Sequence, residues 1–119
     1  MDLTGADTRL LTQLLSAASL RARVIAGNVS NQNTPGYRRQ VVQFESLIED
    51  AVREGRPVSQ SQRPLVVEDR ATPAGPDGNN VHLELEMSSA RENRLLYEAY
   101  ATILQGHLGL IEHSITGGR

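Results

Sequence analysis

His82, Glu84 and Glu86 alternate in "HLELE", and clustered His and Glu side chains can ligate a metal ion. On a helix these three point to different faces, and on a strand they form a solvated edge, so no metal site is expected. His107 and His113, six apart, are badly spaced to share an ion. Asn28-Val29-Ser30 is formally a glycosylation sequon, but it falls within a helical pattern. Arg21, Arg23, Arg38 and Arg39 could face nucleic acid. Acidic residues dilute them, so they read as solvated or inter-subunit charges. The sequence holds no Gly-rich phosphate loop, no Ser/His/Asp arrangement and no cysteine. Neither catalysis nor a cofactor is expected.

Bulk properties narrow the class further. A chain of 119 residues makes at most one ordinary domain. One Phe, three Tyr and no Trp leave Leu, Val, Ile and Ala to supply the apolar area. Helices packed side by side suit that composition better than a globule. A net charge of −2 gives no basic field for nucleic acid or anionic lipid. The missing cysteines exclude disulfides and thiolate metal sites without fixing the redox compartment. No apolar run approaches the roughly 18 residues of a membrane span, so no direct membrane insertion is expected. The opening "MDLTGADTRLLTQLLSAASLRAR" does not read as a cleaved secretory signal, because Asp2 and Asp7 replace a basic start.

One stretch, "AGNVSNQNTPGYRR", is more specific than any of these features requires. Pro35 pre-sets one central position of a turn and Gly36 supplies positive φ at the next, which predicts a type II turn across Thr34-Pro35-Gly36-Tyr37. Proline also pushes Thr34 out of the helical region. Asn28 and Asn31, three apart, can bond backbone groups where a helix ends.

The elements around it are long. From about Asp7 to Asn31, Leu11, Leu15, Ala18, Ala22, Ile25 and Val29 recur at spacings of four and three, a coiled-coil-like seam. Past the turn, "VVQFESLIEDAVREG" reads as a short helix stopped by Gly55. Residues 56–80 carry four prolines and form an irregular, mobile segment, with "RPLVVED" a candidate strand. The final helix runs from about Leu83 to Ile115 along a stripe of Ala90, Tyr97, Tyr100, Leu104, Leu108, Ile111 and Ile115, with Asn93 its polar exception. Glu84 and Glu86 in its first turn favour the helix dipole. At about 1.5 Å per residue it is near 50 Å long, more than a compact chain of this size can contain. Either it breaks at Gly106 or Gly109, or the molecule is elongated. The fold predicted is mainly α: long N- and C-terminal helices packed as a coiled-coil-like hairpin, with a short irregular middle. Its parts are 1–36, 37–55, 56–80 and 81–119. Each long helix carries a second apolar flank, and large exposed apolar patches mark interaction surfaces. Assembly is the expectation.

The specific stretch resembles the N-terminal signature of the flagellar basal-body rod and hook axial proteins, roughly A-x-N-(apolar)-A-N-x-x-T-P-G-(Y/F). Ala26, Asn28, Val29, Asn31, Thr34, Pro35, Gly36 and Tyr37 match, and Ser30 stands where Ala is commoner. "DGNNVHLELEM" resembles the G-N-N-V-D-x-x-x-E-M string that opens the C-terminal helix of rod proteins. Gly78, Asn79, Asn80, Val81, Glu86 and Met87 match, while His82 replaces an Asp that would cap better. The short middle looks most like the proximal rod type, another rod type of the family being the near alternative. The resemblance implies a structural subunit with one axial domain of the kind called D0. Its terminal helices would assemble with copies of itself and with other rod proteins, transmitting torque and lining the export channel. Further partners implied are the MS ring or rod adaptor and the flagellar type III export components. Export without a cleaved signal would place the chain in the periplasmic part of the basal body. A non-flagellar coiled-coil adaptor would explain the helices alone, and a small enzyme would explain neither signature.

Overall fold

The computed structural model describes residues 5–58 and 62–117. Residues 1–4, which enter the reading of the N-terminus, 59–61 of the middle segment and 118–119 at the end lie outside that description. Five elements follow in order: α1 (Gly5–Ser30), β1 (Gln40–Gln43), α2 (Glu45–Arg53), β2 (Leu65–Glu68) and α3 (Leu83–Ile115). Leu, Ala, Arg and Gln, all good helix formers, fill α1, and Asp7 lies in its first turn. It stops where Asn31 Nδ2 donates back to Gly27 O at 2.8 Å and Pro35 bars continuation. At the end of α2, Gly55 takes φ +72° and the Arg56 N–H reaches Ala51 O at 2.8 Å. That is the glycine stop expected from sequence.

Residues 41–43 depart from expectation. "VVQ" reads as the opening of a helix, but it is strand β1, and α2 begins only at Glu45. The cause is a partner that lies elsewhere in the chain. Val41 pairs with Val67 and Val42 with Val66 in an antiparallel ribbon, and β-branched pairs suit a pleated surface. The candidate strand in "RPLVVED" is β2, the other half of that ribbon.

Helices α1 and α3 pack together as a hairpin. Asn28 bonds Glu86 and Arg21 bonds Asn93, so residue numbers run in opposite senses and the pair is antiparallel. Helix α3 passes unbroken through Gly106 and Gly109, and the molecule measures 64 × 30 × 18 Å. Elongation, not a broken helix, accommodates its length. No described helix is long and apolar enough to cross a membrane.

The buried core is small: Leu11, Ala17, Ala18, Ile25, Val42, Phe44 and Ala51. Along α3 the seam is rotated from the stripe drawn on apolar residues. Its buried residues are Glu86, Asn93 and His107, and with half-buried Tyr100 they recur every seven positions. Leu104 and Ile111 lie half-buried beside them, whereas Ala90, Tyr97, Leu108 and Ile115 are exposed on one flank. On α1, Leu11, Ala18 and Ile25 are buried, Leu15 and Val29 half-buried, and Ala22 exposed. The rotation has a physical cause. Polar groups that find partners can be buried, and here they are what α3 turns toward α1.

Candidate functional site

The two specific strings, more than forty residues apart in sequence, meet at the closed end of the hairpin. Backbone joins first. Gly36 N–H donates to Asp77 O at 2.8 Å, and Asn80 N–H to Tyr37 O at 3.3 Å. Tyr37 N–H closes its own turn on Thr34 O at 3.2 Å. Gly36 and Gly78 both sit at positive φ, +74° and +81°, a region that strains any side chain. They stand back to back: a Cβ on Gly78 would lie 3.4 Å from Gly36 Cα.

Asparagine side chains then stitch the turns. Asn79 Nδ2 donates to Asn31 O and Thr34 O, each at 2.8 Å, so it holds the helix end and the turn together. Its Oδ1 accepts from Val81 N at 2.7 Å. Asn80 Oδ1 accepts from Arg39 N at 2.6 Å, and its Nδ2 donates to Asp69 O at 2.8 Å. Asn28, fully buried, bonds both the N–H and the C=O of Gln40 at 2.9 Å and so pins β1 to α1. Tyr37 Oη donates to the same Asn28 oxygen at 3.2 Å. Asn28 is therefore a tertiary link, and its amide nitrogen is spent on Gln40 and Glu86.

At the centre is a buried charge cluster. Glu86 is fully buried, accepting from Arg39 Nε at 2.6 Å and from Asn28 Nδ2 at 3.2 Å. Arg39 Nη1 reaches Asp69 at 2.5 Å. The Thr72 hydroxyl, then Arg39 and the Ala71 and Thr72 N–H groups, hold the Asp69 carboxyl well below the usual carboxylate range against the effect of burial. For Arg39, burial works against the charge, and the bonds to Glu86 and Asp69 overcome it, leaving the guanidinium more firmly protonated than usual. About two turns further along the hairpin the pattern repeats. Arg21 bonds Glu45 at 2.5 Å and Asn93 Oδ1 at 2.9 Å, and Tyr100 Oη donates to Glu45 at 2.9 Å. Burial opposes ionisation of Glu45, but the bonds from Arg21 and Tyr100 keep its pKa low. Burial and the Glu45 carboxylate push the Tyr100 phenol up to about 12.

Arg21 and Arg39 are thus internal ties; the sequence reading had them as solvated or inter-subunit charges. Their neighbours Arg23 and Arg38 are exposed. Glu86 neutralises a buried guanidinium, a role beyond helix-dipole support. Of the "HLELE" residues, Glu86 is committed to Arg39, Glu84 is exposed and His82 Nε2 lies 3.2 Å from Pro73 O. His82 opens α3 without a side-chain cap. Among the described residues no His/Asp/Glu group could hold a metal, and His107 Nδ1 is the one buried side-chain polar atom without a partner. Asp69, Glu45 and Arg39 carry no local sequence signal for these roles. Only Arg39, two residues past Tyr37, was near enough to the first string to suspect.

The arrangement offers no nucleophile, base or ligand set. What it can do is fix where α1 ends, where α3 begins and how the two cross. No protein-family model matches the chain. It is 25% identical to the flagellar basal body rod protein FlgB of Bacillus subtilis, with all of both chains covered. It is 25% identical to FlgB of Salmonella typhimurium over 99% of each chain. For FlgB of Borrelia hermsii the identity is 27%, over 90% of this chain and 93% of that one. End-to-end similarity of this kind joins two matching strings locked together at the root of a helical hairpin: the chain is similar along its length to the FlgB proteins of the flagellar basal-body rod.

Proposed function

We propose that the chain is a structural subunit of the proximal rod of the bacterial flagellar basal body, and not an enzyme. The observation that carries this is similarity to FlgB proteins along the whole chain. The knot at the closed end sets the angle and register of two long arms, whose exposed apolar residues then join copies of the chain and other rod proteins. In that assembly the arms line the export channel and carry torque. The subunit reaches the periplasmic rod through the flagellar type III apparatus and meets the MS ring or its rod adaptor. A FlgC-type rod protein is the second reading within the family, and full-length similarity to FlgB proteins favours the first.

The test is direct. A tagged chain should co-purify with basal bodies, and deleting its gene should abolish rods and motility, both restored by the intact gene. A chain absent from basal bodies that forms a stable two-chain coiled coil would make it an adaptor instead.

A further inference from the structure

Two grooves run along opposite sides of the α1–α3 seam. The larger, about 580 Å³, lies between the hairpin and the β1–α2 segment. Val24, Val42, Phe44 and Leu96 give it an apolar floor, and Glu49 and Glu92 stand on its rim. Both rim carboxylates are exposed, and neither has an ion-pair partner among the described residues. The other side carries Ala22, Ala90, Arg94 and Tyr97. Helical geometry makes the two sides opposite: Glu92 and Arg94 lie about 100° to either side of Asn93, which faces α1.

The second side is the shallower groove, and the exposed α3 residues along its outer edge form a ridge that carries two arginines. Tyr97 is 46% exposed and Met87 50%, both large apolar side chains without cover. Arg91 beside them has no ion-pair partner among the described residues, and Arg94 has only exposed Glu98 on its own helix, at 3.2 Å. One flank of the molecule is therefore an apolar groove with an acidic rim, and the other an apolar ridge with arginines. Aromatic and arginine side chains are the usual anchors of a protein interface.

We propose that the groove receives the ridge of a second copy of this chain, Tyr97 and Met87 covering its apolar floor and Arg91 and Arg94 facing Glu49 and Glu92. This rests on the reading that the chain assembles with itself, and it names the surfaces that meet. Because groove and ridge are different patches, the contact is heterologous: in a pair, one copy keeps its ridge unused and the other its groove. Such contacts close into rings or propagate as helices according to the rotation between copies. Flanks on opposite sides of a flat, elongated molecule suit lateral growth of that kind.

The natural absence of cysteine makes the test clean. Purified Glu49→Cys and Arg91→Cys chains, distinguishable by tag and matched to wild type by circular dichroism, are mixed and oxidised. The mixed disulfide should exceed both self-disulfides. Adding Glu92→Arg to the first chain should cut its yield at least about tenfold, since like charges facing across an interface are strongly disfavoured. Adding Arg94→Glu to the second should restore it. Self-disulfides in excess, a mixture no richer than random pairing, or no disulfide would each overturn the proposal. Co-expressing the same pair in cells separates it from the rod reading. Basal bodies that contain the chain without the mixed disulfide overturn the interface alone. A mixed disulfide in solution from a chain that basal bodies exclude overturns the rod alone.

Discussion

The closed and open ends of the hairpin are built on different principles. At the closed end Asn28, Asn80 and Glu86 are wholly buried or nearly so, each with at least two hydrogen-bond partners. The open end is two helical arms whose side chains bury little. Leu108, Leu110 and Ile115 are 50%, 49% and 79% exposed, and His107 Nδ1 is buried without a partner. A buried polar network is costly unless every member is satisfied, and once satisfied it specifies one geometry. An apolar face without cover is the reverse: cheap to leave loose, and waiting for area. The chain therefore fixes its geometry at one end by itself and leaves the apolar side chains of the other uncovered.

The largest effect should come from breaking the charge cluster. Arg39→Ala leaves Glu86 buried without its cation, and removing one partner of a buried pair typically costs about 3–5 kcal/mol. Against a total of about 5–15 kcal/mol for a small domain, that is a large share. The urea midpoint should fall steeply, and amide protection should vanish together at Asn28–Tyr37 and Asn79–Glu86. A midpoint within error of wild type would show that the closed end is not the stable part. Glu86→Gln should hurt less, because Arg39 keeps Asp69.

Gly36→Val comes next. A β-branched residue at φ +74° costs about 1–3 kcal/mol, although open space surrounds the position. The measurable result should be a modest fall in midpoint with a large fall in rod assembly, the protein still being made. Normal motility would mean that the turn's geometry does not matter to assembly.

Much of this was legible in sequence because much of it is local. Periodicity marked α1 and α3, Pro35-Gly36 marked the turn, Gly55 the end of α2, and "RPLVVED" marked β2. What escaped depends on partners distant in the chain. Val41-Val42 is ambiguous until Val66-Val67 is known to lie beside it. Arg39 looks like a surface charge until Glu86, 47 residues on, is found against it. The apolar stripe on α3 misplaced the seam for the same reason: periodicity weighs hydrophobic residues, and this seam is centred on paired polar ones. The signature residues themselves were plain in sequence; that Asn28, Asn79 and Asn80 tie both strings into one knot was not.

Acid should separate the two ends more gently. Asp69 and Glu45 have lower pKa values folded than unfolded, so the folded state holds fewer protons as the pH falls. Their stabilisation is complete well above the ordinary carboxylate values of about 4 and is lost as the pH drops below them. The urea midpoint should be flat from about pH 8 to pH 5.5 and then decline. Asp69→Asn should lower the plateau and flatten the decline. A decline of unchanged steepness would remove Asp69 from the explanation.

The smallest effect on stability should come from the open end, and there it is the contrast that matters. Leu108 is half exposed on α3, so Leu108→Asp removes little buried area in the free chain, and surface changes of this kind fall within about 0.5 kcal/mol. Helical arms that bury so little are marginal in water and should exchange their amides quickly, in wild type and variant alike. Inside an assembly the same position would be covered, and a carboxylate placed against apolar neighbours is strongly unfavourable. Leu108→Asp should therefore leave the urea midpoint and the protection of the closed end unchanged while the chain disappears from purified basal bodies. Glu112→Gln, an exposed polar change one turn on, should leave incorporation intact. If Leu108→Asp lowered the midpoint as much as Arg39→Ala, the open end would be a core in its own right. If it entered basal bodies normally, the uncovered face at Leu108 would have no neighbour, and the division between a self-sufficient end and an unfinished one would fail where it is most exposed.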